Sequence, residues 1–245
     1  YMYDPLIAKR LPFQAFLEDY YAVVDEAVKR EKPVTFKSVI GYITGLDVSH
    51  PSFNQAEIAY YRYLQDPNDF ANEKILRDFM LYDSMKLCLK YNLPLQIHTG
   101  SGNTPLCRLT KMNPLLLHDF LSDEINRQVT TVILHCGYPF LREAAYIVSH
   151  FGQAHLDVSQ MVYHAGLAAE TGFKELMETC PFTKVLFASD GGGIPEHTWY
   201  SAKYFKKALS RAMSDYVELG VFSRETAERY AAMVLSENAR RIYRL

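Results

Sequence analysis

The chain has 245 residues, 49% hydrophobic and 22% charged, with a formal net charge of -2. A polypeptide of this size and apolar content buries a sizeable core as one domain or two, and its balanced charge gives no electrostatic case for nucleic acid or an anionic membrane surface. No apolar run approaches the ~18–20 residues that cross a bilayer, and the opening YMYDPLIAKR lacks the uninterrupted apolar core and cleavage site of a signal peptide.

The spacing of Phe13, Phe16, Leu17, Tyr20, Val24 and Val28 predicts a helix over residues 13–31. Pro33 then opens a strand, Val34–Lys37. Ser52-x-x-Gln55 has the form of a capping box for a helix to about Gln65. Asp66-Pro67-Asn68-Asp69 breaks it, and a second helix covers about Glu73–Tyr91. Strand Leu95–His98 leads into a Gly/Ser/Asn loop, Thr99–Asn103. Asn113-Pro114 is an N-cap with proline at the first helical position, for a helix to about Arg127. Strand Thr131–His135 follows, then Gly137-Tyr138-Pro139, a helix to Phe151 and strand His155–Ser159. A short helix over about Phe173–Thr179 precedes strand Lys184–Ser189, which ends at Asp190-Gly191-Gly192-Gly193. Helix Tyr200–Leu219 stops at Gly220, and Ser223 caps a last helical region to Tyr243.

Five strands alternating with helices predict the α/β class, with a parallel sheet and right-handed crossovers. An open doubly wound sheet and a barrel both fit that count. A doubly wound sheet gathers its ligands at one switch point. Here polar residues end several strands, as they do on the C-terminal face of a (β/α)8 barrel. Neither GxGxxG after a strand nor GxxxxGK[ST] is present, and Ile194-Pro195 interrupts the run Gly191–Gly193.

Four strand ends carry chemistry-bearing side chains: Lys37, His98, His135 and Asp190. A lone strand-end histidine is more often structural than ligating, which is the first reading for His50, His118, His150, His155, His164 and His197. His164 and His197 lie on C-terminal loops, within reach of a substrate but not as ligands. His98 and His135 differ because they share one position on successive strands. Imidazole and carboxylate together suit zinc, and a bound metal lowers the pKa of water to roughly 7. Lys37 has three readings: a solvent-reaching or paired lysine, a cation for a substrate carboxylate, or a carbamylated lysine that bridges two metals. The last needs a neutral amine, which burial favours. Asp157, in HLDVS, either makes a structural hydrogen bond or holds a ligand histidine, and in one register it points inward with the parity of Val185. Cys136 follows His135 directly, so on a strand the two point to opposite faces, against a Cys–His nucleophile pair. The four cysteines form no CxxC pair, which fits reduced thiols in a cytoplasmic protein.

The segments FKSVIGYITGLDV, LPLQIHTGSGN, NPLLLHDFL, LHCGYPFLREAAYIVSHF, HLDVS, FASDGGGIPEHTWYSAKYF and ENARRIYRL occur in this order. The series, from about Thr35 to Leu245, resembles the amidohydrolase superfamily. Its branch is the amidohydrolase-2 group, found alone in bacteria and fused to glutamine-synthetase-like domains in fungi and plants. The resemblance implies a distorted (β/α)8 TIM-type barrel. Its metal ligands are a His-x-His on the first strand, Lys or Glu on the fourth, His on the fifth and sixth, and Asp on the eighth. By matching motifs, Lys37, His98, His135 and Asp190 take the fourth, fifth, sixth and eighth places. No His-x-His occurs in this sequence. The expectation is therefore one hydrolase domain over residues 1–245, a partial barrel of strands four to eight with flanking helices and its earlier strands upstream. Unpaired edges are expected near Thr35 and Val185.

The activity implied is hydrolysis of an amide-like C–N bond in a small organic substrate by metal-activated water. A divalent metal, zinc, is expected on His98, His135, Asp190 and Lys37, with Asp190 as general base and then acid. Tyr42, Arg108, Tyr138 and Glu196 are the expected substrate contacts. Trp199 and Tyr200 are further pocket walls, and Lys111 is read as a surface residue. The glutamine-synthetase fusion points by analogy to γ-glutamyl amides. Two alternatives stand beside this reading: a metal-dependent decarboxylase, which favours Glu over Lys on the fourth strand, and a non-catalytic domain with an incomplete site. The expected partners are a small-molecule substrate and further copies of the chain in a homo-oligomer, with neither nucleic acid nor membrane.

Overall fold

A computed structural model describes residues 3–102 and 107–245. Strands β1 (Phe36–Ser38), β2 (Leu95–His98), β3 (Thr131–Leu134), β4 (Ala154–Asp157) and β5 (Val185–Leu186) form one parallel sheet in the order β1-β2-β3-β4-β5. Every strand lies beside its successor in sequence. The order never reverses, so there is none of the crevice at which a doubly wound sheet binds ligands. This is the (β/α)8 TIM-barrel type, with five of its strands among the described residues.

The register assigns the two faces. Leu95, Ile97, Ile133, Ala154, Leu156 and Val185 point to the helices and join the main core with Met85, Phe120, Val148, Phe173 and Phe205. Val132, Leu134 and Leu186 point the other way, into the barrel side, where Ile242 packs on them. Asp157 pairs with Leu186, and Leu156 with Val185. Asp157 therefore faces the barrel interior with Leu186, as its inward reading has it, whereas Val185 faces the helices and does not share its parity.

The helices follow local chemistry. Helix α1 is Asp4–Ile7, and α2 (Phe13–Glu31) ends where Lys32 turns left-handed at φ 47° ahead of Pro33. Ser52 and Gln55 complete the expected capping box of α3 (Phe53–Gln65). Asp69 caps α4 (Phe70–Tyr91), so this helix starts three residues earlier than the periodicity suggested. These four helices bury a second cluster that includes Phe16 stacked on Tyr60, with ring centroids 5.0 Å apart. Phe36 of β1 packs against both clusters and joins them.

Three expectations need correction. The single helix over 114–127 is replaced by a 3-10 turn at Pro114–Leu117, α5 (His118–Ser122) and a 3-10 turn at Asn126–Gln128. Asp123 breaks it: its carboxylate accepts from the backbone N–H of Ile125, a local bond that competes with the helix ladder. The helix expected from Tyr200 begins at Pro195, because proline at the first helical position needs no N–H partner. The helix expected from Phe173 begins at Ala169. The remaining helices are α6 (Leu141–His150), α7 (Met161–Ala165), α8 (Ala169–Met177), α9 (Pro195–Glu218), α10 (Arg224–Ala232) and α11 (Asn238–Tyr243), with a π turn at Met233–Glu237 before α11. The loop expected at Thr99–Asn103 has Asn103 outside the described residues.

Among the described residues β1 and β5 each pair on one side only. Beyond β5, the Phe187 N–H donates to the Val234 carbonyl of the π turn. Along β1 runs a cavity of about 220 Å³ lined by Phe36, Lys37, Val39, Tyr20, Met80 and Leu87, among others. No described helix is long and apolar enough to cross a membrane.

Candidate active site

β2 and β3 are hydrogen-bonded neighbours, so the residues at their C-terminal ends meet. His98 ends β2, and His135 follows β3 directly with left-handed backbone, φ 65°. Their rings meet edge to face with centroids 4.4 Å apart, and His135 Nε2 lies 3.0 Å from His98 Nδ1. Both rings are buried, at 3% and 2% exposure.

The loop after His98 is pressed against the loop after His135. Gly100 has φ 71°, and a Cβ there would stand 2.3 Å from the carbonyl carbon of Gly137, so only glycine fits. The Ser101 N–H donates to the Tyr138 carbonyl at 2.6 Å, and the Ser101 carbonyl then accepts from His98 Nε2 at 3.0 Å. Tyr42 lays its ring on His98, with centroids 4.4 Å apart.

His135 is held from β4. Its N–H donates to the Asp157 carboxylate at 3.2 Å, and its Nδ1 lies 2.7 Å from the Ser159 hydroxyl. The Ser159 hydroxyl and N–H both donate to the same Asp157 carboxylate. Asp157 therefore serves both roles weighed for it, as a structural acceptor and as the anchor of a candidate ligand.

These bonds decide which ring nitrogens carry protons. A carbonyl only accepts, so His98 Nε2 carries the proton and Nδ1 is bare. With the Ser159 hydroxyl donating to Asp157, His135 Nδ1 donates to the Ser159 oxygen and Nε2 is bare. Two lone pairs then converge at 3.0 Å. Such a contact is repulsive until a cation, a proton or a metal ion, lies between them.

Burial pushes the pKa of both rings well down. The neighbouring His98 lowers His135 further, and the charge of Lys37 acts in the same sense on both rings, while Asp190 opposes it. Burial also pushes the Cys136 thiol up, which removes it as a nucleophile.

Asp190 is exposed, with left-handed backbone at φ 48°. One carboxylate oxygen accepts from Gln160 Nε2, and Gln160 Oε1 lies 3.1 Å from His164 Nε2. His164 also reaches the Ser101 hydroxyl at 2.9 Å and stacks on Tyr138 with centroids 5.3 Å apart. Lys37 sits in the middle of β1 rather than at its end, pairs in register with Gln96, and is exposed. Arg108 is exposed beside the 3-10 turn Leu109–Lys111, and Glu196 is exposed in the first turn of α9. Lys111 pairs with Asp47 at 2.7 Å, away from the histidine pair's contacts. Trp199 is 60% exposed, with the Lys203 ammonium 4.6 Å from its ring centroid.

The amidohydrolase family profile matches residues 59–245. This chain belongs to the amidohydrolase family. It is 31% identical to protein fluG of Emericella nidulans over 245 residues, which are 95% of this chain and 28% of fluG. It also resembles a crystal structure from Lactobacillus casei, a protein assigned as a metal-dependent hydrolase, with a TM-score of 0.86 and 26% identity over 99% of this chain and 63% of that one. The chain thus spans under a third of the first relative and under two thirds of the second.

The site of this amidohydrolase-family chain suits a metal in its donor chemistry. Two nitrogens on one tetrahedral zinc ion, each at ~2.0–2.1 Å, stand ~3.3 Å apart, close to the 3.0 Å separation of His98 Nδ1 and His135 Nε2. Among the described residues no third His, Cys, Asp or Glu joins them closely enough to complete a ligand cluster. Sequence reading missed Ser159 and Gln160. HLDVSQ did carry a signal, since small polar residues directly after a strand lie on the face where the chemistry collects.

Proposed function

We propose that this chain carries the metal-holding part of a hydrolase that cleaves an amide-like C–N bond in a small organic molecule. One observation carries the reading: the convergence of two bare nitrogens, His98 Nδ1 and His135 Nε2, on one point at the C-terminal end of the sheet. Membership of the amidohydrolase family, and the likeness to a protein assigned as a metal-dependent hydrolase, support it.

A divalent ion, zinc, fits between the two histidines, and when bound it acidifies water to a pKa of roughly 7 and polarises the bond under attack. The protein's own residues do the rest. His98 and His135 present neutral rings because they are buried. Asp190 takes a proton from the attacking water on the oxygen opposite Gln160, then returns it to the leaving nitrogen. Lys37 and Arg108 bind a substrate carboxylate, Tyr42 and Tyr138 wall the pocket, and Glu196 receives substrate N–H groups. We assign residues 1–245 to a single barrel domain, able to form a homo-oligomer and acting on a small molecule rather than nucleic acid or membrane. Four unpaired cysteines suit a reducing cytoplasm.

A second reading, a domain of this fold that binds no metal, rests on the absence of a third close ligand among the described residues. Zinc content measured on the purified chain separates the two. Stoichiometric zinc that is lost in His98→Ala and in His135→Ala supports the hydrolase, whereas equal zinc in all three proteins, or none in any, retires it. Assaying amine against carbon dioxide release from small amides and carboxylates separates hydrolysis from decarboxylation.

A further inference from the structure

We infer that Gln160 is a positioning residue that clamps the Asp190 carboxylate in one orientation and is itself aimed by His164; the inference rests on the reading of Asp190 as the proton carrier beside the histidine pair. Gln160 has φ 64° and ψ -19°, a left-handed conformation that favours glycine. A glycine would adopt that backbone without strain but would bring no side chain. The glutamine amide has a use at this point: its Nε2 donates to Asp190, and its Oε1 faces His164 Nε2 at 3.1 Å.

The amide can stand only one way round. Reversed, its oxygen would face a carboxylate oxygen, acceptor against acceptor. With Nε2 on Asp190, Oε1 must accept, so His164 Nε2 carries a proton. The Ser101 hydroxyl oxygen, 2.9 Å from the same nitrogen, shares that proton as a second acceptor. Stacking on Tyr138 fixes the plane of the His164 ring. The line Ser101–His164–Gln160–Asp190, with Tyr138 behind it, ties together the segments that follow β2, β3, β4 and β5. Ser101 belongs to both halves of the site, because its carbonyl accepts from His98.

An amide suits this task better than a cation. A lysine or arginine on Asp190 would hold it too, but would lower its basicity through charge. The neutral donor restrains one carboxylate oxygen and leaves the other to take a proton.

Two measurements on the full chain test the clamp. The first needs no metal: the side-chain amide protons of Gln160, assigned by their loss in Gln160→Leu, resonate away from the other glutamines and return toward them in Asp190→Ala and in His164→Phe. Resonances that ignore both substitutions overturn the proposal. The second is a Co2+ titration read by visible absorption and chelator competition. With Asp190 also closing the expected metal set, Gln160→Leu and the near-isosteric Gln160→Glu are expected to weaken Co2+ binding by about 10-fold, and Gln160→Leu to add nothing further in an Asp190→Ala background. Full additivity of the two substitutions overturns the proposal. Co2+ binding that His98→Ala and His135→Ala leave unchanged overturns the metal reading alone, and amide resonances that respond to Asp190→Ala then still support the clamp.

Discussion

The Ser159 hydroxyl lies 2.7 Å from Nδ1 of His135 and determines which nitrogen of that ring faces His98. Without Ser159 the ring loses the acceptor that fixes the proton on Nδ1. Ser159→Ala is expected to lower zinc affinity by roughly 10–100-fold and to leave the fold intact, with Ser159→Thr restoring most of the loss. Chelator competition measures it, and wild-type affinity in Ser159→Ala would show that the hydroxyl does not orient the ring.

His155 ties stability to pH. It is buried on β4, where burial pushes its pKa down to about 4, with Arg241 and Lys184 acting in the same direction. In the unfolded chain it titrates near ~6.5. The unfolded state therefore takes up the proton first, and stability present above pH ~6.5 is lost as pH falls toward 4, by up to roughly 3 kcal/mol. Urea midpoints between pH 7 and 4.5 should fall with acid, and His155→Gln should flatten that slope by up to one proton. An unchanged slope in the variant would place the titration elsewhere.

Gly100 and Gly152 make a matched pair. An alanine Cβ at Gly100 would meet the Gly137 carbonyl carbon at 2.3 Å, on a backbone with φ 71°, whereas at Gly152 it would meet nothing within 4 Å. Gly100→Ala is expected to cost more than ~1 kcal/mol and to weaken zinc binding by displacing Ser101. Gly152→Ala should stay within about 0.5 kcal/mol of wild type. Thermal unfolding compares them, and equal midpoints would show that the two loops need no close approach.

Asn238 seals the far end of the sheet. Its buried amide donates to the Phe182 carbonyl at 2.7 Å and to the Val185 carbonyl at 2.8 Å. Asn238→Ala strands both acceptors and should cost on the order of 1–3 kcal/mol. Denaturant unfolding reads this as a lower midpoint with an unchanged slope, and a variant as stable as wild type would mean that water replaces the amide.

Much of the site was legible before any coordinates. His98 and His135 each follow a run of apolar residues, and parallel strands joined by right-handed crossovers bring successive strand ends together. The capping box at Ser52 and the end of α4 at Tyr91 are local chemistry and read directly from the chain. Lys37 was less legible: on the three-residue β1 it falls one position inside the end, level with Gln96 rather than with His98. The break at Asp123 was hidden because its carboxylate competes with a ladder that the apolar spacing favoured.

By itself the sequence determined the alternation of strands and helices, the four chemistry-bearing positions and the family resemblance, because periodicity, caps and motifs are properties of neighbouring residues. Only the tertiary structure decided the unreversed strand order, the inward face of Asp157, and the joint hold of Ser159 and Gln160 on His135 and Asp190. Those outcomes depend on register and on left-handed turns at His135, Gln160 and Asp190, where a single backbone dihedral redirects a side chain toward partners 22 to 37 residues away.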